Sequence, residues 1–290
     1  MRPDIGPTDG GRLGGALVTG AARGLGREVA SRLARRGYAV HLTDVDAALA
    51  ETAAAEIAAA TGGRVFASQL DVRDQAAVRE AARSTVEAAG SLALWVNNAG
   101  VLLTGPAWAQ TDETRRLMFE VNALGTMHGT VAALEIMRPA GRGHIVNVVS
   151  LAGLVSVPGE AVYAATKHAA MGLSLSTLAD LRVAGERDIH ISCVCPDGMW
   201  TPMLFDKLHD AHASMSFSGK LLRPEQVADL VERVVDRPRP VVTAPRWRGL
   251  QVRLFDLAPG VAMRFAPAVV RLSRAQQRAQ SRKLAAPGPE

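Results

Sequence analysis

Ser150, Tyr163 and Lys167 have the residue types and spacing to move one proton between them. Tyr163 and Lys167 stand four apart in Tyr163–Ala164–Ala165–Thr166–Lys167, and on a helix such a pair shares a face. A tyrosine phenol titrates near pH ~10 and is a poor base at neutral pH. An ammonium beside it favours the phenolate and lowers that value. The chain has only two tyrosines and four lysines, so their meeting at this spacing is informative. Taken alone, the pair reads equally as a half-buried tyrosine beside a solvated lysine. The surrounding sequence decides between the two.

A second group of residues suits a dinucleotide. Thr19–Gly20–Ala21–Ala22–Arg23–Gly24–Leu25–Gly26 follows an apolar run and opens a helical one. Glycines there permit a tight turn and a close backbone approach to a pyrophosphate, and the helix start supplies free N–H groups. Asp44 follows Gly26 by 18 residues at the end of the next apolar run, close to the spacing of the acid that binds an adenosine ribose. A carboxylate accepts from a 2′-hydroxyl and repels a 2′-phosphate, which favours NAD over NADP. Arg23 argues the other way, since a guanidinium there could pair a 2′-phosphate. Asp71–Val72 and Asn97–Asn98–Ala99–Gly100 close two further apolar runs, at strand ends where open α/β sheets bind ligands. Asp71 serves equally well as the cap of the helix that starts near Asp74.

These residues need a frame, and the sequence supplies one. Strands are expected at Ala16–Thr19, Tyr38–Thr43, Val65–Leu70, Leu92–Val96, His144–Val149 and Ile189–Val194, with a short last strand at Val241–Val242. Helices are expected at Gly24–Arg36, Ala47–Ala60, Gln75–Ala89, Glu113–Met137, Val162–Ala184 and Arg223–Val235. Strand–helix alternation with continuously apolar strands implies α/β architecture, a doubly wound parallel sheet covered on both faces. At 290 residues the chain can bury a large core as one catalytic domain, set here at residues 12–243. Cys193 and Cys195 lie two apart in a strand, too close for a usual disulfide and too few for a zinc site. They read as small core residues of a reduced, cytoplasmic protein.

In combination these motifs resemble the short-chain dehydrogenase/reductase family, from about Leu13 to Val242. The resemblance rests on TGxxxGxG at Thr19–Gly26, NNAG at Asn97–Gly100, Asn122, Ser150, and YxxxK at Tyr163–Lys167. It implies a Rossmann-type fold and an oxidoreductase passing a hydride between a nicotinamide cofactor and an alcohol or ketone. Tyr163 would be the general acid/base and Ser150 would bond the substrate oxygen. Lys167 would acidify Tyr163 and hold the nicotinamide ribose. Asn122 would fix a water linking Lys167 to solvent. Gly20, Arg23, Gly24, Leu25, Gly26, Asp44, Asp71, Val72, Asn98, Ala99 and Gly100 would hold the cofactor with Tyr163 and Lys167. Pro196 and Thr201 would meet the carboxamide. One departure stands out: Pro196–Asp197–Gly198 replaces the family's Pro-Gly. The alternative reading is a regulator or scaffold that binds NAD without turnover, against which the complete set Asn122, Ser150, Tyr163 and Lys167 speaks. The resemblance also implies a homodimer or homotetramer, built on the helices near Glu113–Met137 and Val162–Ala184.

The segments expected around the nicotinamide are apolar: Val101–Leu103, Leu151–Val155 and Met199–Phe205. They contain no arginine or lysine, so the expected substrate is a hydrophobic alcohol or ketone such as a steroid, terpenoid or long-chain carbonyl. Trp200–Ser218 is expected to form a mobile lid, with His209 and His212 one turn apart as solvated residues rather than a metal pair. From Arg237 onward the chain carries 11 Lys/Arg against 2 Asp/Glu, whereas the first 236 residues carry 22 against 26. The basic character therefore belongs to the tail and is not a nucleic-acid footprint of the whole chain. In residues 244–274, Trp247, Leu250, Leu254, Leu257 and Val261 recur at helical spacing, and Pro259–Gly260 and Pro267 are expected to divide them into short helices. That extension could cap the substrate pocket, pack on a neighbouring subunit, or lie on an anionic membrane surface. Residues 1–11 and 275–290 are polar and expected to be disordered. No apolar run reaches the ~18–20 residues of a membrane span.

Overall fold

The computed structural model describes residues 13–285, with side chains to 282; the leader expected at residues 1–11 lies outside it, as do 286–290. Apolar runs form strands β1 (Gly15–Thr19), β2 (Ala39–Asp44), β3 (Val65–Gln69), β4 (Leu92–Asn97), β5 (Gly143–Val148), β6 (Ile189–Pro196) and β7 (Val241–Ala244). The intervening helices are α1 (Gly24–Arg35), α2 (Ala47–Thr61), α3 (Gln75–Ala89), α4 (Asp112–Met118), α5 (Gly125–Met137) and α6 (Ala161–Val183). Helices α7 (Pro202–Phe205), α8 (Pro224–Asp236), α9 (Arg246–Leu257) and α10 (Pro259–Ala285) complete the described chain. Side-chain caps mark several starts: Asp46 accepts from Leu49 N–H at α2, and Asp74 accepts from Ala76 and Ala77 at α3.

All neighbouring strands pair in parallel, in the order β3-β2-β1-β4-β5-β6-β7. Because strand side chains alternate, β1 feeds both faces of the sheet. Ala16 and Val18 pack with Val29 and Leu33 of α1, Ile57 of α2 and Val231 of α8. Leu17 packs on the other face with Val78 of α3, Met137 of α5 and Leu181 of α6. The chain reverses its direction of travel across the sheet between β1 and β4. The carboxyl ends of those two strands are therefore where a crevice must open, and in open α/β sheets ligands bind there.

The C-terminal region differs from the sequence expectation. Pro267 does not end a helix, because α10 runs through it to Ala285. Proline costs the helix the hydrogen bond to the residue four back, here Met263, and both residues lie on the solvent side. Nor are the described residues after Ala275 irregular. Gln277 donates to the carbonyls of Lys207 and Asp210 at 3.0 and 2.9 Å, and Ser281 donates to that of Leu208 at 3.1 Å. Their polar side chains, which suggested disorder, satisfy backbone carbonyls of the lid. The lid itself is packed rather than loose. Ala213, Ser214 and Phe217 of its 3₁₀ turn, Ala211–Phe217, are buried. Its backbone presses on Gly159 and Gly198, where any side chain would collide with the carbonyls of His212 and Ser216. His209 and His212 are exposed. Among the described residues no helix is long and apolar enough to cross a membrane, and no group of three or more His, Cys, Asp or Glu could hold a metal.

Candidate active site

A cavity of about 910 Å³ opens at the carboxyl ends of the strands, and nearly every sequence-predicted site residue lines it. At one end lie Gly20, Arg23, Gly24, Leu25, Asp44, Asp71, Val72, Asn98, Ala99 and Gly100. Ser150, Tyr163, Lys167, Pro196 and Thr201 follow, and then apolar side chains from the lid and extension. Gly26 and Asn122 lie behind the wall.

The nucleotide end is made mostly of backbone. Gly20 and Gly24 turn the chain with φ of 60° and 58°. Gly26 permits close packing of α1, since a Cβ there would strike the Gly20 carbonyl, the Asn98 side chain and the Ala21 Cα. Asn98 holds the turn from β4, donating to the carbonyls of Thr19 and Gly20 at 3.0 and 2.8 Å. Thr19 Oγ1 in turn accepts from the N–H groups of Asn98 and Ala99, both at 3.1 Å. No side chain caps α1, so its first amides point into the crevice with the positive end of the helix dipole. Asp44 Oδ2 accepts from Ala22 N–H at 3.1 Å, which fixes a carboxylate at the end of β2. Uncapped amides beside a carboxylate fit a dinucleotide, the amides meeting phosphate and the acid meeting ribose hydroxyls. Asp71 is not a helix cap; Asp74 does that work, and Arg73 binds the Asp71 carboxylate in a fork and holds it below the usual carboxylate range.

Tyr163 and Lys167 project from the first turns of α6. The Lys167 ammonium lies 5.7 Å from the Tyr163 ring centroid and donates to the Val148 carbonyl at 3.0 Å. Burial pushes Lys167 down to about 8. Tyr163 moves opposite to the sequence expectation. Burial raises its phenol well above the ordinary value, Glu160 raises it further, and a hydrogen bond with Ser150 offsets only part. Desolvation is the largest of these influences, so the phenol is protonated at neutral pH. Ser150 Oγ also accepts from Ala152 N–H at 3.1 Å, which sets the short turn Leu151–Gly153.

Asn122 sits in a π-helical turn, Phe119–Leu124, between α4 and α5. Its side chain does not bond its own helix. It accepts from Val101 N–H at 2.8 Å, donates to the Val101 carbonyl at 2.9 Å, and reaches Thr166 Oγ1 at 3.1 Å. Asn122 thus ties the loop after β4 to the helix of Tyr163 and Lys167. The wider π turn is a common device at functional sites.

Two residues at the site escaped the sequence reading. Glu160 lies one turn before Tyr163, is 2% exposed and lines the cavity. Burial pushes its carboxyl up to about 7, opposed by the Ser216 hydroxyl that donates to it at 2.6 Å. Its i, i+3 relation to Tyr163 was the available signal. Arg248 of α9 pairs with Asp197 at 2.8 Å, the two side chains only 15% and 11% exposed, and also donates to Ser218 of the lid at 2.8 Å. The residue that departs from the family pattern is thus the anchor for the extension.

A family model for short chain dehydrogenases matches residues 15–212. An uncharacterized NAD-dependent oxidoreductase of Mycobacterium tuberculosis is 39% identical over 210 residues, covering 67% of this chain and 75% of that protein. A cyclopentanol dehydrogenase of Comamonas testosteroni is 34% identical over 220 residues, covering 74% and 86%. A crystal structure of a short chain dehydrogenase/reductase from Burkholderia phymatum in complex with NAD superposes with a TM-score of 0.77 at 30% identity, covering 85% of this chain and 94% of that one. The chain belongs to the short-chain dehydrogenase family and is an oxidoreductase.

Proposed function

We propose that this enzyme interconverts an apolar secondary alcohol and its ketone with NAD, and that Tyr163 carries the proton. The observation that supports this most is the continuity of one cavity. It is lined at once by Gly24 and Asp44, by Ser150, Tyr163 and Lys167, and by Met203, Met215, Val252 and Phe255. When bound, NAD supplies the hydride acceptor or donor and, in its oxidised form, a pyridinium charge. The protein's part is to position groups and handle the proton. Asp44 selects the unphosphorylated ribose. Ser150 and Tyr163 bond the substrate oxygen and stabilise charge that develops on it. A phenol held protonated at neutral pH is poised to donate, so ketone reduction proceeds at neutral pH and alcohol oxidation gains as pH rises. Asn122 is a positioning residue for Lys167 through Thr166.

The apolar lining of the substrate end supports an apolar alcohol or ketone. The relative named a cyclopentanol dehydrogenase is consistent with that class. Assembly as a homodimer or homotetramer is supported by exposed apolar side chains Leu124 at the end of the π turn, Val131 on α5 and Leu175 on α6. The segment from Ala123 to Met137 carries no lysine or arginine to oppose a second copy. The test is absorbance of the reduced nicotinamide with cyclic secondary alcohols, hydroxy acids and sugars, each with NAD and with NADP. Turnover of the cyclic alcohols with NAD is expected. Turnover of only acids or sugars, or with NADP alone, overturns the reading.

A further inference from the structure

The extension has two faces. The inner face, with Ser273 and Gln277, is buried against the lid. The outer face is both apolar and basic. On α9, Trp247, Leu250, Leu254 and Leu257 are 58–80% exposed and fall on one side at helical spacing. On α10, Val261, Phe265 and Leu272 form a second exposed stripe. Arg264, Arg271 and Arg278 recur every seven residues beside it, and all are exposed. From Arg246 to Arg282 the extension carries eight arginines against a single acid, Asp256. A contiguous apolar face of this kind marks a contact surface.

The cavity reaches the outer face at Leu272, which belongs to the exposed stripe and also lines the cavity. Phe255, Met263 and Leu272 line the cavity while being 40%, 51% and 63% exposed. They form its rim rather than its floor.

We propose that the outer face of α9 and α10 seats on an anionic lipid surface, with the rim of the substrate cavity against the bilayer. Apolar side chains flanked by arginines are what an in-plane interfacial helix presents: the apolar face enters the acyl boundary and the cations meet lipid phosphates. A second copy is the weaker occupant on charge. A two-fold interface brings the same patch to itself, setting one arginine row against another with Asp256 alone to offset it. The corresponding face of α5 has no such row and suits a second copy. Surface contact stands on this geometry alone; the further consequence, that an apolar substrate enters from the bilayer, rests on the function proposed above.

The test uses the full chain and sedimentation with two kinds of vesicle, phosphatidylcholine alone and phosphatidylcholine mixed with phosphatidylglycerol. At low salt the bound fraction on the anionic vesicles is expected to exceed that on the neutral ones by about tenfold or more, and to fall as salt rises. Arg264→Glu with Arg271→Glu, and separately Leu254→Ser with Phe265→Ser, should each abolish the excess while turnover of a water-soluble alcohol is unchanged. Equal binding to both vesicles, or to neither, overturns the proposal. So does a drop in oligomer size by light scattering, without vesicles, for the Leu254→Ser/Phe265→Ser chain, which makes the face a subunit interface. Should a variant fail to fold, the salt and lipid dependence of the native chain still decides. Loss of turnover with every alcohol while lipid binding persists would sink the proposed reaction and leave this inference standing.

Discussion

The two ends of the cavity are built from different materials. The nucleotide end is made of backbone amides, glycines and two carboxylates, Asp44 and Asp71, all from the first 100 residues and all at the carboxyl ends of strands β1 to β4. The substrate end is made mainly of side chains, from Leu102, Leu103, Leu151 and Val155 beside the sheet and from a lid and an extension that reach it from residues 199–276. Its parts are held by particular pairs: Asp197 with Arg248, Glu160 with Ser216, and Thr104 with Asp210. A backbone-built site serves any member of the fold. A side-chain-built site can change with a few substitutions, and under the proposed function that is where substrate choice would be made.

Substitutions away from the phenol can break or sharpen that contrast. The largest effect is expected from Arg248→Ala. It strands the Asp197 carboxylate at 11% exposure and should cost about 3 kcal/mol in denaturant unfolding. Asp197→Asn combined with Arg248→Met should recover much of the loss, and unchanged stability in Arg248→Ala would show that the extension is not anchored there. Next comes Gly26→Ala, whose methyl has no room against Gly20 and Asn98. Overpacking of about 1–3 kcal/mol should weaken NAD binding by calorimetry while the substrate KM at saturating NAD stays constant. A KM that moved instead would mean that the two ends are not separable. Asp44→Ser should move the NAD-to-NADP preference in kcat/KM by about tenfold toward NADP, the worth of one charge-assisted hydrogen bond.

The smallest effect is a pH shift. In the native chain Glu160 ionises as pH rises through about 7, and its charge then holds the neighbouring phenol protonated. Glu160→Gln removes that charge, so the oxidation rate should reach its plateau at lower pH, by less than about one unit. A profile that moves to higher pH would contradict the electrostatic role assigned to Glu160.

The same contrast explains what could be read in advance. Strands and helices of the sheet announce themselves by local apolar periodicity, so bounds such as Gln75–Ala89 were legible. The glycine turn and the strand-end acid that line the crevice were legible too, because both are short-range features. Other features depend on contacts distant in sequence. Glu160 became a site residue only when Ser216, 56 positions later, closed over it. Residues Gln277 and Ser281 look like a disordered tail until the lid carbonyls they satisfy are placed beside them. The Tyr163 phenol shows the point most sharply. Helical spacing places a cation near it, but the desolvation and the buried Glu160 that raise it are properties of the packed molecule.

The central claim is that Tyr163 passes the proton in a cavity joining a nucleotide end to an apolar end. Its most direct test is single-turnover absorbance of the reduced nicotinamide for the native chain and Tyr163→Phe with a cyclic ketone at neutral pH. The phenylalanine chain should bind NADH unchanged and reduce the ketone about 10²–10⁴-fold more slowly. Equal rates in the two chains would contradict the account.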